Sequence, residues 1–271
     1  MAILFDDANS QRFDQVSTAV TVEPLTMAQW INRDSDTVND YNFQQLSDIN
    51  GTPDDQQHWR LCSADASTGG TNFAVAAIIG PGTATTDTAN TSGTTSLNTW
   101  HHVGGKHTTN SSRHAYLDGT ESTENTEIVS TPAGVDEWSV GWENDSTPGD
   151  GMSGSIFWPA LWSVALAAAD LTALSDGAPP WSIRPAALAH FAEYAAVGTG
   201  NTQTDMVRQE AMVYGGTGSP STVEGPCVCA GGSVIIVVHA ELSGPVITDV
   251  DTDEAWNDGD TGLVITGTGF V

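Results

Sequence analysis

Four of the seven histidines, His101, His102, His107 and His114, fall in one short stretch of the chain. Imidazoles this close in sequence can ligate a transition metal or act as general bases, and His101 with His107 are the two placed to share an ion. The competing role, hydrogen bonding within strands and turns, is the one expected of them. Oxygen chemistry lies further on, where Glu143, Asn144, Asp145 and Asp150 share one loop, with Asp6 and Asp7 as further donors. Hard cations take clustered carboxylate and carbonyl oxygens, so Ca²⁺ is the cofactor this loop would bind. Trp142 and Trp158 flank the loop, and an indole beside polar groups can stack on a sugar ring. These two are the expected ligand-binding residues.

Catalysis finds less support. A glycosidase needs two carboxylates facing one cleft. Glu121, Glu124 and Glu127 are wrongly spaced to leave one face of a strand, and Asp249, Asp251 and Asp253 alternate correctly but lie in the C-terminal segment. No Ser or Cys stands in a Gly-flanked elbow. No catalytic residue is expected.

The elements that would carry these groups are strands. Trp100–Val103 and Arg113–Leu117 alternate residue by residue and are joined by the polar TTNSS, the pattern of two antiparallel strands. Asp118-Gly119 supplies a second hairpin turn, because both residue types tolerate positive φ. Further strand candidates are Ala2–Phe5, Leu25–Asn32, Tyr41–Leu46, His58–Cys62, Asn72–Ile79, Glu137–Trp142, Gly154–Trp162 and Ile183–Phe191. Residues 83–96 are Thr-rich and read as a polar loop or edge. Leu171 and Leu174 would pin a short helix over Ala165–Leu174, capped by Gly177 and stopped by Pro179-Pro180. Trp30, Trp59, Trp100, Trp138 and Trp162 are expected in packing.

Bulk properties bound the function. The 271 residues carry 34 acidic against 7 basic side chains, a net charge of −27. So negative a surface repels phosphate backbones and anionic headgroups, which argues against nucleic acid as a partner. The apolar run Val234–Val238 is too short to span a bilayer, so no membrane insertion is expected, and the N-terminus shows no leader peptide. Cys62, Cys227 and Cys229 make no disulfide framework and read as incidental thiols.

The stretch WHHVGG followed by AYLDG, over Trp100–Gly119, resembles the W-x-H-V-A … L-Y-V-D-G signature of laminin-G-like, concanavalin A-like jelly rolls. Ala2–Phe5 with Asp6 and Phe13, Leu25–Asn32, Gly154–Trp162, Ala165–Leu174 and Ile183–Phe191 resemble other pieces of that family in its own order, the last as in bacteriophage and environmental versions. The resemblance implies an all-β, antiparallel jelly-roll sandwich with one short helix over residues 1–194. Where many family members carry Asp-Glu, this chain has Phe157-Trp158, which removes two carboxylates from that strand. Residues 195–232, rich in Gly, Ser, Thr and Pro, read as a linker or arm. Residues 233–271 contain a strand at Ser233–Ala240, and Pro245–Phe270 resembles the start of an IPT/TIG immunoglobulin-like module, so the segment is expected to be an extended β arm or a partial Ig-like module.

The function these readings imply is a non-enzymatic structural or adhesion protein of a virus particle, a head decoration, fibre or tail component assembled in the host cytoplasm. Its partners would be other virion proteins and copies of itself, a trimer for instance, with host-surface glycans as ligands of the lectin-like domain. The alternative is a secreted or surface bacterial adhesin that binds glycans through Ca²⁺.

Overall fold

Leu25–Arg33 (β3) shows what strand alternation accomplishes in this chain. Leu25, Met27 and Ile31 are buried on one side, while Ala28 and the half-buried Trp30 pack on the other among Trp162, Leu171 and Leu174. Both faces of the strand are therefore covered. The computed structural model describes residues 1–16, 18–35, 42–48, 57–63, 73–80, 87–143, 151–193, 202–217, 221–226, 246–250 and 265–268.

Two eight-stranded antiparallel sheets make the sandwich. The first contains Ala2–Phe5 (β1), β3, His101–Thr109 (β8), Ser112–Leu117 (β9), Thr120–Glu121 (β10), Gly154–Trp162 (β12), Leu188–Phe191 (β13) and Ser221–Val223 (β16). Its spatial order is β10-β9-β8-β3-β12-β1-β16, with β13 also paired to β12. The second contains Arg12–Gln15 (β2), Asn42–Ser47 (β4), His58–Ser63 (β5), Phe73–Ile79 (β6), Asp87–Thr94 (β7), Glu137–Val140 (β11), Thr202–Asp205 (β14) and Glu210–Gly215 (β15). Here the order is β14-β15-β2-β11-β4-β5-β6-β7. Between the sheets lies a core that includes Phe5, Phe13, Leu46, Trp59, Leu61, Val103, Trp138 and Ile156.

The meander forms as its sequence requires. β8 and β9 pair from Val103↔Leu117 to Thr109↔Ser112, and Asp118 and Gly119 at φ 48° and 76° make the primed turn into β10. The helix Ala168–Ser175 (α1) buries Leu171 and Leu174. Its end is a Schellman cap: Ala178 N–H donates to Ala173 O at 2.9 Å, Gly177 N–H to Leu174 O at 3.0 Å, and Gly177 has φ 96°.

Of the two readings of the Thr-rich segment, the edge is the one found: β7 pairs with β6 at the end of the second sheet. Two other expectations need correction. Residues 195–232 are more than a linker or arm: β15 pairs with β2 and β16 with β1, so the segment extends both sheets. Composition hid this because an edge strand needs only backbone hydrogen bonds and an occasional inward side chain. Here Met212 is fully buried and Tyr214 packs on Phe13 with ring centroids 5.7 Å apart. Trp30 and Trp100 are half-buried at the margin of the second cluster, unlike Trp59, Trp138 and Trp162, which are sealed.

A buried pair ties this added hairpin to the sandwich. His190 Nδ1 meets Asp205 Oδ2 at 2.5 Å, while His190 Nε2 accepts the Ala19 N–H at 3.1 Å. The other oxygen, Asp205 Oδ1, accepts backbone N–H groups from Phe191, Val207 and Arg208. Against the opposing effect of burial, these donors hold the Asp205 carboxyl below its ordinary range. Asp205→Asn must turn an NH₂ toward either the imidazole N–H or the backbone donors. A loss of about 2–3 kcal/mol is expected from a urea melt, since a buried donor is left without an acceptor; a loss below about 0.5 kcal/mol would count against this role.

Ser233–Val271 forms a second compact unit, in which Val246–Val250 (β17) and Ile265–Thr268 (β18) pair antiparallel. Ser233–Ala240 lies outside the described residues. Among the described residues no helix is long and apolar enough to cross a membrane.

Candidate functional site

The outer face of the second sheet is polar where a sandwich of this size would ordinarily expose it to water or cover it with apolar groups. Pairing places Asp14 beside Ser139, Ser139 beside Gln45, Gln45 beside Arg60, Glu137 beside Ser47, and Ser47 beside His58. The alternate residues of the same four strands, Phe13, Trp138, Leu46, Trp59 and Leu61, enter the core. Period-two geometry thus sends one polar set outward from β2, β11, β4 and β5. None of the seven polar residues is more than 8% exposed.

Buried polar atoms are almost always hydrogen-bonded, so the exceptions point to function. Both ring nitrogens of His58, Ser47 Oγ and Asp14 Oδ1 have no hydrogen-bond partner among the described residues, and His58 Nε2 lies 3.9 Å from Glu143 Oε1. Burial, reinforced by the Arg60 charge, pushes His58 well below the usual imidazole range, leaving a neutral ring with one donor and one acceptor. Burial also raises Asp14 to about 6, against the pull of Arg12 at 2.8 Å. At the margin, Arg60 Nη1 meets Glu143 Oε1 at 3.0 Å, and these side chains keep 10% and 12% of their surface open. The result is a buried polar floor with a guanidinium–carboxylate pair at its rim. It holds carboxylate, hydroxyl, amide, imidazole and guanidinium groups, the kinds that hydrogen-bond a ligand with many hydroxyls.

The site residues expected from sequence are distributed differently. Glu143 is engaged by Arg60, so its carboxylate already neutralises a cation. Asn144, Asp145 and Asp150 lie outside the described residues. Trp142 is buried next to Gly151 and follows β11. Trp158 belongs to the other sheet, in the irregular stretch of β12 between Phe157 and Ala160, with φ 53° and its ring stacked on Phe157 at 4.4 Å. Both indoles are buried, and they do not share a face. Trp158 lines a recess with Trp30, Trp162 and His102 that has room for roughly one water molecule.

The histidines do not converge either. His102 is buried edge-on to Trp30, His107 is buried, and His114 lies 3.2 Å from Glu121. His101 donates through Nδ1 to Asp118 at 2.7 Å, and its Nε2 faces Ser96 Oγ at 2.9 Å. Although this is the order of a nucleophile, base and acid, Nε2 also accepts the Ser96 N–H at 3.1 Å. The arrangement fastens the loop before β8 to the turn after β9. Among the described residues no group of three or more His, Cys, Asp or Glu could hold a metal ion.

Sequence reasoning missed the polar floor. The available signal was the alternation in HWRLCS and NFQQLS, where His58, Arg60 and Gln45 alternate with the core residues Trp59, Leu61 and Leu46.

A family model for the concanavalin A-like lectin/glucanases superfamily matches residues 7–172, a range that contains the whole polar floor. No curated protein matches the sequence. Among solved structures, a Bacteroides ovatus protein named for carbohydrate binding aligns with TM-score 0.59 and 15% identity, over 83% of this chain and 60% of its own. A SAP-like pentraxin from Limulus polyphemus aligns with TM-score 0.53 and 14% identity, over 66% and 83%. The enzymatically active domain of bacteriophage CBA120 tailspike protein 2 aligns with TM-score 0.52 and 15% identity, over 68% and 28%. At such identities the likeness is one of fold, and this chain spans 60% of the Bacteroides ovatus structure.

Proposed function

This chain belongs to the concanavalin A-like lectin/glucanases superfamily, and from that premise we propose that its jelly roll is a carbohydrate-binding domain whose site is the polar outer face of the second sheet. The observation that carries the reading is the set of buried atoms on His58, Ser47 and Asp14 that have no hydrogen-bond partner among the described residues. Sugar hydroxyls both donate and accept, so they can satisfy all three kinds of atom at once. The reading describes a non-catalytic binding role.

A glycan array on the purified protein, followed by calorimetry on the best ligand, tests this. The double variant His58→Ala, Ser47→Ala should weaken binding about 10- to 30-fold, as expected for two lost hydrogen bonds of about 1 kcal/mol each. Its Tm should fall modestly while the fold is retained, because truncating the fully buried His58 ring leaves a cavity. Absence of binding to every glycan would overturn the function, and unchanged affinity in the variant would overturn the placement.

For the biological setting we propose a virus particle, in which the protein serves as a homo-oligomeric head decoration, fibre or tail component that engages host-surface glycans. Support comes from the resemblance of Ile183–Phe191 to bacteriophage versions of the family and of Pro245–Phe270 to an IPT/TIG module. Mass spectrometry of purified particles should find the protein there. Its absence would remove this setting and leave the binding site untouched.

A further inference from the structure

Every cation of this protein is already committed. All seven Lys and Arg side chains lie among the described residues. Arg12 pairs with Asp14 at 2.8 Å, Arg60 with Glu143 at 3.0 Å and Lys106 with Glu121 at 2.8 Å. Arg184 pairs with Asp170 at 3.1 Å, Arg208 with Glu210 at 2.9 Å, and Arg113 with Asp87. Arg33, 1% exposed, donates to Thr95 O at 3.4 Å.

The histidines add no free charge among the described residues. Burial keeps His58, His102 and His107 neutral, while His101, His114 and His190 face Asp118, Glu121 and Asp205. On the polar floor itself Asp14, Glu137 and Glu143 outnumber Arg12 and Arg60. Around it stands a molecule of net charge −27.

Anionic sugars are captured chiefly by charge-assisted hydrogen bonds from Arg or Lys. Here such a ligand must displace an intramolecular carboxylate from its cation, and it must approach through a repulsive field. We infer that the site selects glycans by charge: uncharged sugars bind, amine-bearing sugars bind more tightly, and sugars carrying carboxylate, sulfate or phosphate are rejected. The Arg60–Glu143 pair is the filter at the rim. The inference rests on the carbohydrate reading above.

A glycan array containing neutral, amino and acidic oligosaccharides is the probe, read at ionic strengths of about 0.01 M and about 0.1 M, where the Debye length is about 30 Å and about 10 Å. Acidic members should bind at least about tenfold more weakly than neutral counterparts, and the advantage of amino members should shrink at the higher salt. Glu143→Gln removes one carboxylate charge from Arg60, and should raise the binding of acidic members relative to neutral ones about tenfold. Acidic glycans that bind the native protein as well as neutral ones would overturn the charge selection alone. A Glu143→Gln variant in which the ratio of acidic to neutral binding does not rise would overturn the filter. No binding by any class would overturn the carbohydrate reading, and this inference with it.

Discussion

Acidification is expected to destabilise the sandwich from about pH 6.5 downward. Burial strips water from the imidazolium form, so the pKa of His102 falls from 6.5 to about 4 even though Asp118 opposes the change. His107 falls to about 3, with the Arg113 charge adding to burial. Burial and Arg60 likewise depress His58. Below about pH 6.5 the unfolded chain takes up protons that these buried rings refuse. Stability is therefore complete above pH 6.5 and is lost as the pH falls toward the folded values. Each tenfold change in proton affinity is worth about 1.4 kcal/mol, so His102 alone contributes a loss on the order of 3 kcal/mol by pH 4. Asp14 acts in the opposite sense: raised from 3.8 to about 6, it holds its proton in the folded chain and offsets part of the loss between those values. One raised carboxyl does not balance three depressed histidines.

Calorimetry from pH 8 to pH 4 should show a steady Tm above about pH 7 and a fall that begins near 6.5. His107→Leu should flatten the profile. Among the described residues neither His107 nitrogen has a hydrogen-bond partner, so an apolar replacement of similar size loses none of those bonds. A Tm that is level from pH 7 to pH 5 would sink the account.

Trp138→Ala should cause the largest loss of any single core truncation considered for this chain, about 3–5 kcal/mol. Trp138 is fully buried, its Nε1 donates to Gln44 Oε1 at 3.1 Å, and its ring lies 5.1 Å from that of His190. Removing it opens a cavity, orphans Gln44 and loosens the His190–Asp205 pair together. A urea melt should report the loss as a lower midpoint with an unchanged slope, and heating should show a Tm lower by about 10 °C. Trp100→Ala, at the half-buried rim, should cost about 1 kcal/mol. Equal losses in the two variants would refute the distinction between sealed and marginal indoles.

Much of the architecture was legible in the chain because its causes are local. Asp118-Gly119 can only be read as a tight turn, Gly177 ends a helix by adopting a positive φ, and alternation over Leu25–Arg33 requires a strand with two distinct faces. The family signature over Trp100–Gly119 added the sandwich. Those inferences use residues a few positions apart, where backbone sterics decide the outcome.

The candidate site was less legible, because alternation says that a strand has two faces and not what lies against either. His58–Cys62 reads only as a strand candidate until β4 and β11 place Gln45, Ser47, Glu137 and Ser139 around His58 and Arg60. Glu143 reads as a calcium ligand until Arg60, 83 positions earlier in the numbering, is found 3.0 Å away. Trp142 and Trp158 flank one loop in sequence, yet Trp142 follows β11 of the second sheet and Trp158 lies in β12 of the first. By itself the sequence determined the strands, the turns, the helix cap, the excess of negative charge and the family. Only the tertiary structure decided which polar residues meet, which are sealed and which cations are already taken, because burial and pairing are set by strands that approach from distant parts of the chain.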